Sequence, residues 1–394
     1  MHFQKLGKLS LLSLLFLSTF LCAQEDKLDE KILSDDQLNI FKYNQEENEQ
    51  NSSKLKKDWI NPITFSYSKS DADTTNTLKS AISISQPIFK SGGIYSAIKY
   101  ASATYKYNNV DITLQKKDLI KEATTILFNL NITDLNIKKN ELLLKNAQID
   151  IETKKEQVLH GFLDTSTLDN AILDANEIKN SLADLYYQKE ELLYNFSNIA
   201  RGDYKDFKLP TLKLIDEKLF LNQNLQLSKS KAEVEQQDYY KDMIRANYLP
   251  SVSIDASHTQ YHDDSEDYNS YSYSYGLTLS IPLDVKAYND IEKERINYLT
   301  KKLSLKNTKL EEKNFYRTKL SKLKMLDNKK EIAKNDYELY DSLLEVIIEE
   351  KNAEVKTQND VDVLANSQKI KSIELKIYEL EKQIELLELY ARIS

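Results

Sequence analysis

Four histidines and scattered carboxylates are the residues of this chain whose types and spacing invite chemistry. His258 and His262, followed by Asp263, Asp264, Glu266 and Asp267, bring together the imidazole and carboxylate donors that divalent metals take. Their place between two strand-like segments reads instead as a hydrated acidic surface loop. His160 has the side chain of a pH sensor, but its polar setting reads as plain surface. Asp360 and Asp362 carry two readings. One is helix-cap chemistry, an Asp at a helix start accepting from backbone N–H groups. The other, in a symmetric oligomer, is a ring of carboxylates that raise one another's pKa and attract cations. There is no glycine run to cradle phosphate and no cysteine spacing for a metal. No catalytic, cofactor-binding or metal site is assigned, and the chain is not read as an enzyme.

The elements that position these residues must be long. The 394 residues include six Gly and five Pro, where average usage would bring about 28 and 20. A compact fold of many short elements needs those residues at its turns. Between Gly93 and Gly161 there is neither, a stretch worth about 100 Å of helix at ~1.5 Å per residue. Ala123, Leu130, Ile137, Leu144, Ile151 and Val158 recur there every seven residues. Near the C-terminus Ile370, Ile373, Ile377, Leu380, Ile384 and Leu387 follow 3–4 spacing. Both patterns predict heptad packing between helices.

Residues 1–23 read as a secretory signal: Lys5 and Lys8, then the apolar run Leu9 to Leu21, then Cys22-Ala23. Leu21 is too bulky for the usual lipobox before Cys22. Without Lys5 and Lys8 the formal charge moves from −8 to −10, and the remaining basic residues are dispersed, so no nucleic-acid partner is expected. No later stretch approaches the ~20 apolar residues of a membrane helix. An exported chain of this kind can cross a membrane only with strands.

The chain repeats itself. Ile82-Ser83-Ile84-Ser85-Gln86-Pro87-Ile88 parallels Leu277-Thr278-Leu279-Ser280-Ile281-Pro282-Leu283 at an offset of 195. The same offset carries Thr167-Leu168-Asp169 onto Asp362-Val363-Leu364. Asn61-Pro62 parallels Leu249-Pro250 at 188. Residues 24–58, acidic and rich in Asn and Gln, are expected to be poorly ordered or weakly helical. The first repeat is placed at 59–200 (two strands and a long helical hairpin), the linker or equatorial region at 201–225, and the second repeat at 226–394 (helix, two strands, long helical hairpin).

The strands alternate with a period of two. Tyr271, Tyr273, Tyr275, Leu277, Leu279 and Ile281 share one face; Ser270, Ser272, Ser274, Gly276, Thr278 and Ser280 share the other. Ile63, Phe65 and Tyr67 alternate with Thr64, Ser66 and Ser68 in the same way. A half-buried sheet of a soluble domain would show this pattern; so would a membrane barrel with a wet interior. The export signal and the three tyrosines at one strand end, read as an aromatic girdle, favour the barrel. Four strands cannot close one, and open edges cannot face lipid. Barrels start at about eight strands; three chains supply twelve. The competing reading is an exported coiled-coil structural protein without a channel.

These residues resemble the TolC family of outer-membrane efflux proteins, from about residue 59 to the C-terminus. The resemblance rests on Gln86-Pro87-Ile88-Phe89-Lys90-Ser91-Gly92-Gly93, Tyr248-Leu249-Pro250-Ser251-Val252, Ser280-Ile281-Pro282-Leu283, and the hairpin turns at Gly161 with Thr167, Leu168 and Ala171 and at Asp362-Val363-Leu364. It implies a mixed α and β membrane protein: a homotrimer with a 12-stranded β-barrel continued by a long α-helical coiled-coil barrel through the periplasm. It implies the outer membrane of a Gram-negative bacterium, contact with its lipid, and docking of a periplasmic adaptor protein that bridges to an inner-membrane pump. Gly161, Thr167, Leu168, Ala171, Val363 and Leu364 would be the adaptor-docking tips. Asp362 matches one position of the family's acidic gate, Ala365 stands at the other, and Asp360 is the substitute. Lys356 stands where the first tip has Gly161, so the second turn is expected to differ.

Overall fold

The computed structural model describes residues 29–72, 75–262 and 270–394; the expected signal segment and Asp263, Asp264, Glu266 and Asp267 lie outside them. Among these residues seven α-helices and four strands follow in the order α1 (Asp35–Lys57), β1 (Thr64–Ala72), β2 (Thr75–Phe89), α2 (Gly93–Leu159), α3 (Thr165–Ile199), α4 (Glu217–Gln223), α5 (Leu225–Ala246), β3 (Ser251–His262), β4 (Tyr271–Ser280), α6 (Ala287–Asn352) and α7 (Gln358–Tyr390). The chain is two copies of helix, hairpin, long helix, helix.

Of the two alternatives expected for residues 24–58, helix α1 takes the helical one. It runs unbroken for 23 residues, with Ser34 accepting from the N–H of Gln37 at its start, Asp35 and Asp36 in its first turn and three lysines in its last. Those charges suit the helix dipole at both ends. Its buried residues, Phe41, Asn48 and Ser52, stand seven and four apart, but two of the three are polar. Asn48 donates to the carbonyl of Tyr105 at 3.1 Å and accepts from Asn108 at 3.1 Å. The helix is held on α2 by these Asn48 bonds and by Phe41, which joins an apolar cluster with Ile112, Ile120 and Leu127; one apolar residue and two polar ones make a weak signal for an apolar-periodicity search.

The hydrophobic core sits midway along the helices, where the segment between the copies wraps them. Phe128, Leu212, Leu323, Leu386 and Leu387 form one cluster, and Ile215, Phe220, Tyr316, Leu389 and Ile393 another. The segment is fastened by named bonds: the N–H of Leu212 donates to Gln383 Oε1 at 2.6 Å, and Tyr316 donates to the carbonyl of Ile215 at 2.7 Å. Leu33 bridges to Ala200 in the first copy and Asn224 to Ile393 in the second, one β-bridge closing each repeat. Ala123 and Leu130 are fully buried, as is Leu387, in keeping with the heptads.

The four strands make one antiparallel sheet in the order β1-β2-β3-β4. The register aligns Phe65, Ile82, His258 and Tyr273 in one row and Thr64, Ser83, Ser257 and Ser274 in the next. Facing rows are therefore apolar on one side and hydroxyl-bearing on the other, because partners across an antiparallel ladder share a face.

Candidate functional site

Three features of the architecture are unfinished within one chain. The first is the sheet. Among the described residues its main contacts are strand to strand, with no helix layered on either face. Tyr271, Tyr273, Tyr275, Leu277 and Leu279 all stand in solvent, Tyr275 at 87% and Leu277 at 72% exposure. Phe65, Tyr67, Ile82 and Ile254 on the same side are exposed too. An apolar patch of this extent marks a surface made for another phase or another chain. The outer ladders of β1 and β4 are unpaired, which leaves two rows of backbone donors and acceptors open.

The second is the helical layer. α3 packs on α2, α2 on α7, and α7 on α6, so α3 and α6 are its outer members. Along α6, Ile296, Leu303 and Leu310, then Ile332, Leu339 and Val346, stand seven apart and all are exposed. That is an unused coiled-coil seam. Tyr187 and Tyr194 of α3, again seven apart, are exposed on the opposite border.

The third is the polar face. Thr64, Ser83, Ser85, Asp255, Ser257 and Ser274 line a shallow depression in it. A sheet with a hydroxyl-bearing face opposite a greasy one has the polarity of a barrel wall with a wet interior.

At the far end of the helices the two hairpin turns are alike, which corrects the expectation built on Lys356. In the first tip the N–H groups of His160, Gly161 and Phe162 donate to the carbonyls of Glu156, Val158 and Gln157; in the second, those of Ala353, Glu354 and Val355 donate to Glu349, Lys351 and Glu350. Gly161 has φ +73° and its counterpart is Glu354, at φ +60°. The repeat offset has shortened from 195 at Pro87 and Pro282 to 193 at the tips. Thr167 and Leu168 therefore correspond to Asp360 and Val361, rather than to Asp362 and Val363.

Asp360 belongs to a capping box. Its Oδ2 accepts from the N–H and the hydroxyl of Thr357, both at 2.8 Å, and its own N–H donates to Thr357 Oγ1. The Thr357 N–H holds the Asp360 carboxyl below the usual carboxylate range. Asp362 accepts from Gln358 Nε2 at 2.7 Å and faces a groove it shares with Lys145, Glu152, Asn366 and Lys369. Two residues apart on a helix, the carboxylates point to different faces.

Of the tip residues, Ala171 is 2% exposed and packed away, while Thr167, Leu168, Val363 and Leu364 are half-buried. The freely presented apolar groups are Leu159, Phe162 and Val355, Phe162 at 78% exposure; a loop-position Phe was the signal for it. His160 is exposed and faces Glu156 at 3.9 Å. His258 and His262 are in β3, not in a loop: His258 stacks on Tyr273 with 4.5 Å between ring centroids, and His262 Nε2 lies 3.0 Å from Ser80 Oγ. The alternation of Ile254 and Ala256 simply continues through them. No group of three or more metal-ligating side chains occurs among the described residues, and no helix there is long and apolar enough to cross a membrane.

No protein-family model matches the chain, and no curated protein sequence does. Solved structures do. The outer membrane channel CmeC of Campylobacter jejuni superposes with a TM-score of 0.72 at 15% identity, covering 93% of this chain and 85% of the other. The outer membrane protein VceC of Vibrio cholerae gives 0.73 at 10% identity, with 93% and 95% covered. The MtrE outer membrane channel of Neisseria gonorrhoeae, in its open state, gives 0.68 at 11%, with 93% and 87% covered. The chain thus has the fold of the TolC-type outer-membrane channels, as its motifs implied.

Proposed function

We propose that this chain is the outer-membrane channel component of a tripartite efflux or type I secretion system. Three copies join edge to edge, β4 of one beside β1 of the next, and close a 12-stranded barrel in outer-membrane lipid. The helical layers close beneath it, α6 against α3, into a tunnel through the periplasm. The chain does no chemistry; a periplasmic adaptor protein and an inner-membrane pump supply energy and cargo.

The observation that carries this reading is the sheet. Its greasy face is uncovered, its edges are unpaired, and its other face bears hydroxyls. In water the first two are costs; in a membrane trimer lipid covers the apolar side, neighbouring strands take the edge groups, and the hydroxyl face lines a wet interior. The exposed heptad seam of α6 supports the same assembly independently. At the tips, Phe162, Leu159 and Val355 join Gly161, Thr167, Leu168, Val363 and Leu364 as the surface for the adaptor, with Ala171 supporting it from within. Asp362, facing the α2–α7 groove, is the stronger gate candidate; Asp360 stabilises the helix start beside it.

The full-length protein, purified in detergent and added to a planar lipid bilayer, is expected to give discrete conductance steps. A protein that stays dispersed in plain buffer and never conducts contradicts the channel and favours a structural coiled coil.

A further inference from the structure

The polar face of the sheet holds one carboxylate, Asp255, and one amine, Lys79, among its described residues; every other member is Ser, Thr, Ala, Gly, Pro or Tyr. The two charges are not partners. Ser85 pairs with Asp255, and Lys79 lies six residues further along β2, about 20 Å at ~3.3 Å per residue. That exceeds the ~8 Å over which charges act through physiological salt. Asp255 is held in place: the Thr278 hydroxyl donates to its Oδ2 at 2.6 Å, and the Ser85 hydroxyl donates to it as well. Its cross-strand partner is Gly276, where a Cβ would meet nothing within 4 Å. One flank of the carboxylate is thus left open.

We propose that the depression around Asp255 is a transient station for organic ammonium cations on the conduit wall. The inference rests on the channel reading above. The depression holds about 410 Å³, within the ~300–1,000 Å³ of small-molecule sites. Asp255 supplies the charge, and the hydroxyl oxygens of Ser83, Ser257, Ser274 and Thr64 are acceptors for ammonium N–H groups. One carboxylate with neutral hydroxyls is a poor divalent-metal set, since calcium takes six to eight oxygens, typically with several carboxylates. It suits a singly or multiply charged amine held weakly enough to leave again, as passage requires.

The test uses single channels of the full-length protein in planar bilayers. Reversal potential is read in a potassium chloride gradient, and block is read with spermidine added to the side of the helices. Asp255→Asn keeps the acceptor for Thr278. It is expected to lower the cation preference about two- to threefold, the size of three screened charges around a wide lumen, and to weaken spermidine block. Asp255→Glu should retain both properties, and Gly276→Lys, which sets an amine beside the carboxylate, should abolish them. An Asp360→Asn/Asp362→Asn protein should keep the part of the block that Asp255→Asn removes. Conducting Asp255→Asn channels with unchanged reversal potential and block overturn the station and leave the channel standing. A wild-type protein that never conducts overturns the channel and the station with it.

Discussion

A Cβ placed on Gly93 would lie 2.8 Å from the Cβ of Ala246. The start of α2 and the end of α5 touch at that point, just beyond the ends of β2 and β3. Beside it the Ser91 hydroxyl donates to the carbonyl of Pro250 at 2.6 Å, and Tyr248 donates to Asp290 at 2.5 Å, a bond to a carboxylate that pushes the phenol up to about 12. The junction between sheet and helices is closely fitted, so Gly93→Val should cost about 1–3 kcal/mol, the usual penalty of overpacking, with Gly93→Ala milder. Thermal unfolding in detergent checks this. An unchanged midpoint for Gly93→Val would mean the helices part more readily than their contact indicates.

Glu312 is expected to be the costliest single carboxylate to remove. Only 6% of its side chain is exposed; it accepts from Arg392 at 2.6 Å and from Asn224 at 2.8 Å. Asn224 is wholly buried, and Arg392 also lies over the Phe315 ring at 3.6 Å. Glu312→Ala strands a buried amide donor, a loss of about 1–3 kcal/mol, partly relieved because Arg392 reaches solvent. Denaturant midpoints of Glu312→Ala and Glu312→Gln decide it: Gln should recover part of the loss, and equal midpoints for all three proteins contradict the network.

The two tips offer a reciprocal pair of substitutions. Nothing lies within 4 Å of a Cβ on Gly161, so Gly161→Ala is opposed by its left-handed backbone alone, about 1 kcal/mol. Glu354→Gly should gain a similar amount by removing a side chain from the same conformation. Hydrogen exchange at the amides of Phe162 and Val355 reads both. Faster exchange at the second tip in Glu354→Gly would show that the glutamate side chain holds the turn.

Acid should loosen the α2–α7 and α6–α7 seams. Burial alone would push the Glu374 carboxyl up, but Lys139 at 2.8 Å and Lys371 at 3.2 Å together hold it down; Lys330 at 2.5 Å does the same to Glu379. A carboxyl depressed in the folded state stabilises above its unfolded pKa, near ~4.3, and that stability is lost as pH falls through the lower folded value. Glu374→Gln/Glu379→Gln should therefore lose less melting temperature than the wild type between pH 7 and pH 3. Parallel losses would assign the acid sensitivity to other groups.

The residues explain which parts could be read before any coordinates. Strict alternation in β4 and an unbroken 67-residue helix at α2 are periodic signals, and they located the sheet and the long helices. Helix α1 gave only a weak signal because, beside the single buried apolar residue Phe41, its seam runs through Asn48, which hydrogen-bonds to Tyr105 and Asn108, and the small polar Ser52. The two-residue drift between strands and tips was hidden for another reason. Apolar stripes match at several registers, while the true start of α7 is marked by one polar residue, Thr357. Glu354 was invisible because nothing in a glutamate announces a left-handed turn. Asp255 stood in plain view as the one carboxylate among serines, but only the paired strands showed that it lines a depression with Ser83, Ser257 and Ser274.

The mass of the assembled protein in detergent, measured by native mass spectrometry of the full-length chain, bears directly on whether one copy leaves its sheet open. Three chains per particle, dissociating when the β1 and β4 edges are blocked, is the expected result. A monodisperse single chain, stable with its tyrosine-lined face in water, would contradict it.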